Sequence, residues 1–148
     1  MQDVNIPVSG FYADPNVFDI FQYEFEHGDK KNALVEPYSV VLSKETAEKL
    51  FNKDNPIGEI IKVGELGSYK VTGVLKKPAG KSHIKFDALA SLSTIPKLVK
   101  QEIFSDVMNS WETRTRGWTY IRLESDVPVT QIESQLAEIS TEQYADLE

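Results

Sequence analysis

The stretch from residue 38 to residue 75 limits the possible folds of this chain more than any other part of the sequence. It begins with apolar residues that alternate with period two and therefore predict a strand buried mainly on one face: Tyr38, Val40 and Leu42. Ser43 follows, and its hydroxyl can accept a hydrogen bond from an unpaired N–H at a helix N-terminus. A short amphipathic helix is indicated by apolar residues at i, i+3 and i+4: Ala47, Leu50 and Phe51.

A turn and a β-hairpin follow this helix. Asn55-Pro56-Ile57-Gly58 has the residue preferences of a type I turn, with Asn at the first position, Pro at the second and Gly at the fourth. Two strands are predicted over residues 59–63 and 68–75, and the four residues between them include Gly64 and Gly67. The sequence therefore predicts an α+β fold built around a mixed α/β lobe of strand, helix and hairpin.

Composition and charge exclude several classes of function. The chain has 148 residues, a length typical of one domain. Its net charge of −7 argues against a nucleic-acid partner, because phosphate binding needs a dense basic face. The absence of cysteine excludes a disulfide scaffold, a Cys-ligated zinc site and a thiol nucleophile. No apolar run approaches the ~20 residues that span a bilayer.

The N-terminal part of the chain is rich in large apolar side chains. Val4, Ile6 and Val8 alternate and predict a strand that Pro7 restricts to an edge. Asp14-Pro15 has the form of a helix N-cap followed by proline at the first helical position. Aromatic residues are concentrated between residues 11 and 25, which favours a core over the alternative of a ligand pocket.

The C-terminal part predicts two helices with a strand between them. Thr94 can cap the first helix, which apolar spacing extends along one stripe: Phe104, Val107, Met108 and Trp111. Residues 118–124 alternate as a strand does. Thr130 and Glu133 form a capping box for the last helix, and its predicted buried stripe consists of Ile132, Leu136 and Ile139.

The loop at residues 76–85 resembles a phosphate-binding loop only in part. Ala79-Gly80-Lys81-Ser82 lacks the glycine that such a loop needs five positions before Gly80, where Leu75 stands. His83 has no metal-ligand spacing around it, and no catalytic motif is present. We therefore predict no catalytic residue, no cofactor and no metal site. The basic side chains of this loop could contact a partner or lipid head groups, or they could form only a solvated loop. The connector at 111–117 adds two further candidates. The candidate contact residues are Lys76, Lys77, Lys81, His83, Arg114 and Arg116.

Several of these segments together resemble a known family. Leu50-Phe51, Pro56-Ile57-Gly58 and Val71-Thr72-Gly73-Val74 occur in the order typical of the MacB-like periplasmic core domain of FtsX-like and MacB-like ABC-transporter permeases. A second match to this family comes from the loop after the hairpin: Pro78, Ser82, His83, Phe86 and Asp87. The resemblance implies one extracytoplasmic domain over residues 1–148, with a central lobe at 14–93 and a return segment at 94–148. It also implies that the porter-like βα lobe is only partial.

The resemblance implies a function as well. The chain would be an excised part of a permease, on the periplasmic side of the inner membrane, and not an enzyme. It would couple ATP hydrolysis by a separate cytoplasmic ATPase to export or to lipoprotein or peptide release. Its partners would be the rest of a dimeric permease, that ATPase, and a periplasmic adaptor or lipoprotein. The alternative is a free-standing periplasmic binding or adaptor domain.

Overall fold

The computed structural model describes residues 6–77, 83–106, 108, 111 and 117–145. The chain divides into two compact units, Met1–Ser105 and Asp106–Glu148. The first unit contains a mixed β-sheet with helices, and the second contains the longest helix of the described residues.

Within the described residues, a six-stranded mixed sheet forms the centre of the first unit. In chain order its strands are β1 (Gly10–Ala13), β2 (Phe25–Gly28), β3 (Ser39–Ser43), β4 (Ile60–Lys62), β5 (Ser68–Leu75) and β6 (Ala88–Ser91). The order across the sheet is β1-β6-β3-β5-β2, and β4 also pairs with β5. The pairs β1–β6 and β3–β5 are parallel, and the others are antiparallel.

The described residues of the same unit form three short α-helices: α1 (Val17–Ile20), α2 (Lys44–Phe51) and α3 (Ile95–Lys100). Val40 and Leu42 of β3 lie in one apolar cluster together with Ala47 of α2. Val41 lies in a second cluster with Phe18 of α1 and Leu34. Because successive strand residues point to opposite faces, β3 has a core on each side. The predicted α+β class, with its strand, helix and hairpin, is confirmed.

The burial of β3 differs from the prediction, whereas the predicted N-cap of α2 is confirmed. The sequence predicts burial mainly on one face of the strand, but Val40, Val41 and Leu42 are all buried. The strand is central, with β5 and β6 as its neighbours. At its end, Ser43 Oγ accepts a hydrogen bond from Thr46 N at 3.2 Å, as a helix cap does.

The turn before the hairpin differs from the predicted type I turn. The backbone hydrogen bond runs from Glu59 N to Pro56 O at 3.0 Å, one residue later than predicted. Gly58 is then the third residue, with φ of +89°, which a type II turn requires at that position. Asn55 instead accepts a hydrogen bond from Ile57 N through its side chain. The hairpin itself, β4 with β5, is confirmed.

The predicted N-terminal elements are displaced along the chain. Of the predicted strand at residues 4–8, Val4 and Asn5 lie outside the described residues, residues 6–8 are not in a strand, and the first strand of the described residues begins at Gly10. The first helix begins at Val17, with Asn16 rather than Asp14 as its N-cap. Asp14 Oδ1 accepts a hydrogen bond from Asn16 N at 2.8 Å, so its side chain stabilises the turn before the helix.

The helix predicted from Ile95 onward, with an apolar stripe that reaches Trp111, ends early; Val107 of that stripe lies outside the described residues. The helix α3 stops at Lys100, and Glu102 takes a left-handed backbone conformation with φ of +60°. The hydroxyl of Thr94 makes no cap hydrogen bond to this helix. It accepts one from Tyr38 N at 2.8 Å and lies 2.8 Å from Ser91 Oγ, so it joins the ends of β3 and β6 instead.

The second unit contains α4 (Val129–Tyr144), and three predictions about this part are wrong. The described segment 117–124 forms neither strand nor helix. The helix begins at Val129 after Pro128, with no side-chain cap, so the predicted capping box of Thr130 and Glu133 is not formed. Its predicted buried stripe is largely exposed, with Leu136 at 51% and Ile139 at 45%.

Candidate functional site

The predicted contact loop begins where β5 ends. Lys76 and Lys77 are exposed there, and each lies beside a glutamate. Lys76 Nζ lies 3.1 Å from Glu24 Oε2, and its backbone N–H donates to Glu24 O at 2.9 Å. Lys77 Nζ lies 3.6 Å from Glu45 Oε1 in the first turn of α2. The two lysines are thus paired with acidic side chains from two other segments of the first unit.

A third ion pair lies in the same region. Lys44 at the start of α2 donates to Glu26 Oε1 of β2 at 2.7 Å. This hydrogen bond lowers the pKa of the Glu26 carboxyl and raises the pKa of the Lys44 ammonium. Because these side chains are exposed or only half-buried, the pairs add little to stability. Their main effect is on charge, since a partner that binds these lysines has to compete with the glutamates.

Of the other four predicted contact residues, His83 lies within the described part of the chain. His83 is exposed, and its ring centroid lies 6.2 Å from that of Phe21. Phe21 also contacts Tyr23, whose ring packs edge-on against Phe86 at 5.5 Å. The predictions for Lys81, Arg114 and Arg116 lie outside the described residues. The grouping of all six side chains into one contact surface stays a prediction.

A tyrosine cluster that sequence reasoning missed connects β1, β5 and the start of β3. The hydroxyls of Tyr12 and Tyr69 lie 2.8 Å apart, within hydrogen-bond distance. Tyr38 packs edge-on against Tyr69 at 5.4 Å, and Phe104 packs edge-on against Tyr12 at 6.0 Å. The hydrogen-bonded pair is separated by 57 residues, so no local pattern indicated it. Burial raises the pKa of both the Tyr12 and the Tyr69 hydroxyl.

The tyrosine cluster predicts a loss of stability in alkali. Tyrosine in an unfolded chain ionises near a pKa of about 10, and the folded protein holds Tyr12 and Tyr69 above that value. Their contribution is therefore complete below pH ~10 and is lost as the pH rises through the raised values. We expect the free energy of unfolding, measured by urea denaturation, to fall above pH ~10. Replacing both tyrosines by phenylalanine should flatten this fall.

The matched control is Tyr120→Phe, since Tyr120 is 41% exposed and lies in the second unit. This variant should lose stability in alkali as the unsubstituted protein does. At neutral pH, Tyr12→Phe should cost about 1 kcal/mol, the usual value of one hydrogen bond. An identical alkaline loss in the double phenylalanine variant would contradict the assignment.

The buried hydroxyls of the first unit have structural partners. Ser39 N donates to Ser91 Oγ at 3.3 Å, and Ser91 lies beside Thr94 as described above. Throughout the described part of the chain, every buried side-chain nitrogen and oxygen has a hydrogen-bond partner. Among the same residues, no three His, Cys, Asp or Glu side chains are grouped so that they could hold a metal ion.

Among the residues that the structure describes, none of the helices combines the length and the apolar character needed to cross a bilayer.

Comparison with known proteins places this architecture among periplasmic domains. The family model for the MacB-like periplasmic core domain matches residues 2–139. A solved domain of a protein described as a permease, from Porphyromonas gingivalis, has a TM-score of 0.66 and 17% identity, covering 96% of this chain and 63% of that one. The periplasmic region of MacB from Actinobacillus actinomycetemcomitans has a TM-score of 0.56 and 16% identity, covering 89% and 55%.

These similarities differ in what they establish. At such low identity the two solved structures show a shared fold, whereas the family match covers most of the chain. The chain spans less than two thirds of the length of either solved structure. A search of curated proteins found no significant match.

Proposed function

This chain belongs to the family of MacB-like periplasmic core domains, and from that premise we propose that it transmits movement within an ABC-transporter permease. In this proposal a separate cytoplasmic ATPase hydrolyses ATP, and the domain couples that hydrolysis to export or to lipoprotein or peptide release on the periplasmic side of the inner membrane. The observation that carries the proposal is the family match over residues 2–139.

The construction of the first unit supports a mechanical role. Its strand β3 is paired on both sides and packed on both faces, and β5 is paired with three other strands. Protein interiors packed in this way resist deformation, so a displacement at one edge of the sheet is carried to the other. A coupling domain needs this stiffness more than it needs a reactive pocket.

The proposal assigns no reaction and no cofactor to the chain itself. The family is one of transporter periplasmic domains and not of catalytic enzymes. The chain acts as one extracytoplasmic domain, with residues 14–93 as the central lobe and 94–148 as the return segment. Its partners are the rest of a dimeric permease, the ATPase, and a periplasmic adaptor or a released lipoprotein.

The end of β5 is the proposed contact surface for such a partner. Lys76 and Lys77 are exposed there, and each forms an ion pair with a glutamate, Glu24 and Glu45 respectively. Exposed pairs of this kind exchange easily, because each is worth at most about 1 kcal/mol. An acidic partner surface can therefore replace Glu24 and Glu45 at small cost. The full proposed set adds Lys81, His83, Arg114 and Arg116.

Cysteine labelling in whole cells tests both the location and the contact. The chain has no cysteine, so single cysteines introduced at Lys77 and at Lys62, both exposed, report on their own positions. A membrane-impermeant maleimide should label Lys62→Cys in cells with a permeabilised outer membrane and an intact inner membrane. Labelling of Lys77→Cys should be slower when the complete transporter is assembled than when the ATPase and adaptor are absent.

The outcomes separate the alternatives. Labelling only after the inner membrane is lysed would overturn the periplasmic location. Labelling of a polypeptide found in the soluble periplasmic fraction would favour a free-standing binding or adaptor domain. Equal rates at Lys77→Cys with and without the other components would overturn the contact surface while leaving the location intact. The parent permease without introduced cysteine measures the background.

A further inference from the structure

The strand β5 has a bulge at Thr72. In the parallel register with β3, Val40 lies opposite Val71. The next residue of β3, Val41, lies opposite Gly73, so that one step along β3 spans two steps along β5 and Thr72 is the extra residue. Bulges are rare in parallel pairs, and they bend the strand that contains them. The bulge therefore marks a place where β5 can bend.

The bulge also separates two antiparallel neighbours of β5. Before it, β5 pairs with β4, and this pairing extends to the hydrogen bond from Val71 N to Glu59 O at 2.8 Å. After it, β5 pairs with β2, beginning with Gly73 opposite Gly28. We term the two groups the β4 part, which is β4 with residues 68–71 of β5, and the β2 part, which is β2 with residues 73–75.

Each part has its own packing contacts. Tyr69 and Val71 of the β4 part are buried in the first apolar cluster. Phe25 and Leu75 of the β2 part lie in the second cluster, on the other face of the sheet, and only Val74 of this part joins the first. Because the packing is divided in this way, the two parts need a direct connection if they are to move together.

The Thr72 side chain supplies that connection. Its hydroxyl donates to Ala33 O and lies 3.2 Å from Val40 O. Val40 pairs with the β4 part through Val71, whereas Ala33 is a buried residue of the connection that follows β2. One hydroxyl thus bonds to both sides of the bulge. Since a buried carbonyl that loses its partner is costly, these contacts oppose bending at Thr72.

We propose that the Thr72 hydroxyl joins the β4 part and the β2 part into one cooperative unit, and that the sheet bends at Thr72 when its hydrogen bonds break. Thr72 is a positioning residue in this proposal. The use of such a bend within a transporter rests on the function proposed above, because a coupling domain has to be stiff in one state and change shape in another. The cooperative unit itself does not depend on that function.

Hydrogen exchange of individual amides by NMR tests the proposal on the 148-residue chain. In the unsubstituted protein, the opening constants of the amides of residues 70–71 and of residues 73–75 should agree within about threefold, as in one cooperative unit. Thr72→Val removes the hydroxyl and keeps the shape of the side chain. It should separate the two groups by about tenfold or more, the scale set by one or two hydrogen bonds. Thr72→Ser retains the hydroxyl and should keep the groups together.

Thr46→Val is the matched control. Thr46 is also buried, and its hydroxyl accepts a hydrogen bond from Ser43 Oγ at 2.9 Å, away from the bulge. This variant removes a hydroxyl in the same way and should speed exchange of both groups alike. A further measurement needs no substitution: exchange of the two groups in the unsubstituted protein should depend on urea with the same slope, because the slope reports the surface exposed on opening.

Several outcomes would overturn the proposal. Equal acceleration of both groups in Thr72→Val means that the hydroxyl contributes only general stability. Separate opening, or unequal urea slopes, in the unsubstituted protein means that the two parts are not joined. Failure of this proposal is distinguishable from failure of the proposed function, because the exchange experiment needs no permease and the cysteine labelling above reports the location of the domain whether or not its sheet opens as one unit.

Discussion

Phe18→Ala is expected to lower the free energy of unfolding of the first unit by about 3–5 kcal/mol, the range for removing a buried phenylalanine ring. The Phe18 side chain is fully buried, at 0% exposure. Its ring meets that of Phe25 edge-on at 4.8 Å, and it shares a cluster with Val41 of the central strand. The substitution leaves a cavity on one face of the sheet, next to β3, whose two faces each pack against an apolar cluster.

Urea denaturation followed by circular dichroism measures this loss. A folded domain has a total stability of only about 5–15 kcal/mol, so Phe18→Ala removes a large share of it. Phe18→Leu retains much of the apolar volume and should cost clearly less, about 1–2 kcal/mol. Ile20→Ala, in the same short helix but only half-buried, controls for helix propensity. Similar losses for Phe18→Ala and Ile20→Ala would contradict the central position given to this ring.

The features predicted best from the sequence are those that depend on residues only a few positions apart. The helix α2 is an example, since Ser43 and Thr46, which form its cap, are three residues apart. Burial of β3 on both faces was missed because the cover over Val41 comes from α1 and from Leu34, earlier in the chain. The alternation that began at Tyr38 could show only that one face was apolar.

Contacts between distant residues also explain why the helix after Thr94 was predicted too long. The stripe through Phe104 has helical spacing, but Leu98 O accepts hydrogen bonds from both Ile103 N and Phe104 N after the helix ends. Phe104 packs on Tyr12 of β1. The Phe104 ring therefore lies against the sheet. No sequence pattern near residue 104 indicates this contact.

The second unit shows the limit of reading patterns in a single chain. Residues 118–124 alternate as a strand does, and α4 has an apolar stripe, so both segments have the sequences of packed elements. The described segment 117–124 is not a strand, and most of the stripe is exposed. Alternation and helical spacing indicate which face of a strand or helix would be buried. Whether that face is buried depends on the residues that pack against it.

The sequence indicated which basic residues the candidate contact surface contains, but not which acidic residues lie beside them. The sequence contained Lys76 and Lys77 in a basic loop, and both are exposed as such a surface requires. It could not indicate that Glu24 and Glu45 come beside them, because those residues lie in other segments of the first unit. The resulting local charge is more balanced than the loop alone suggests.

A side chain in place of the glycine at the end of β2 is expected to lower the free energy of unfolding. Gly28 has φ of +97°, and a Cβ atom there would lie 2.3 Å from Thr72 O and 2.9 Å from Gly73 Cα, both backbone atoms of β5. Gly28→Ala should therefore cost about 3 kcal/mol. Of this, ~1–2 kcal/mol comes from the positive φ, and the remainder comes from moving two strands apart.

Gly58→Ala is the matched control, because it separates these two causes. Gly58 has a similar φ of +89°, but a Cβ atom there would have no neighbour within 4 Å. It should cost only the ~1–2 kcal/mol of the backbone conformation. The difference between the two variants, measured in the same urea denaturation, is the cost of the contact with β5. Equal losses would mean that β2 shifts away from β5 without penalty, and the edge of the sheet would then be too soft to transmit a displacement.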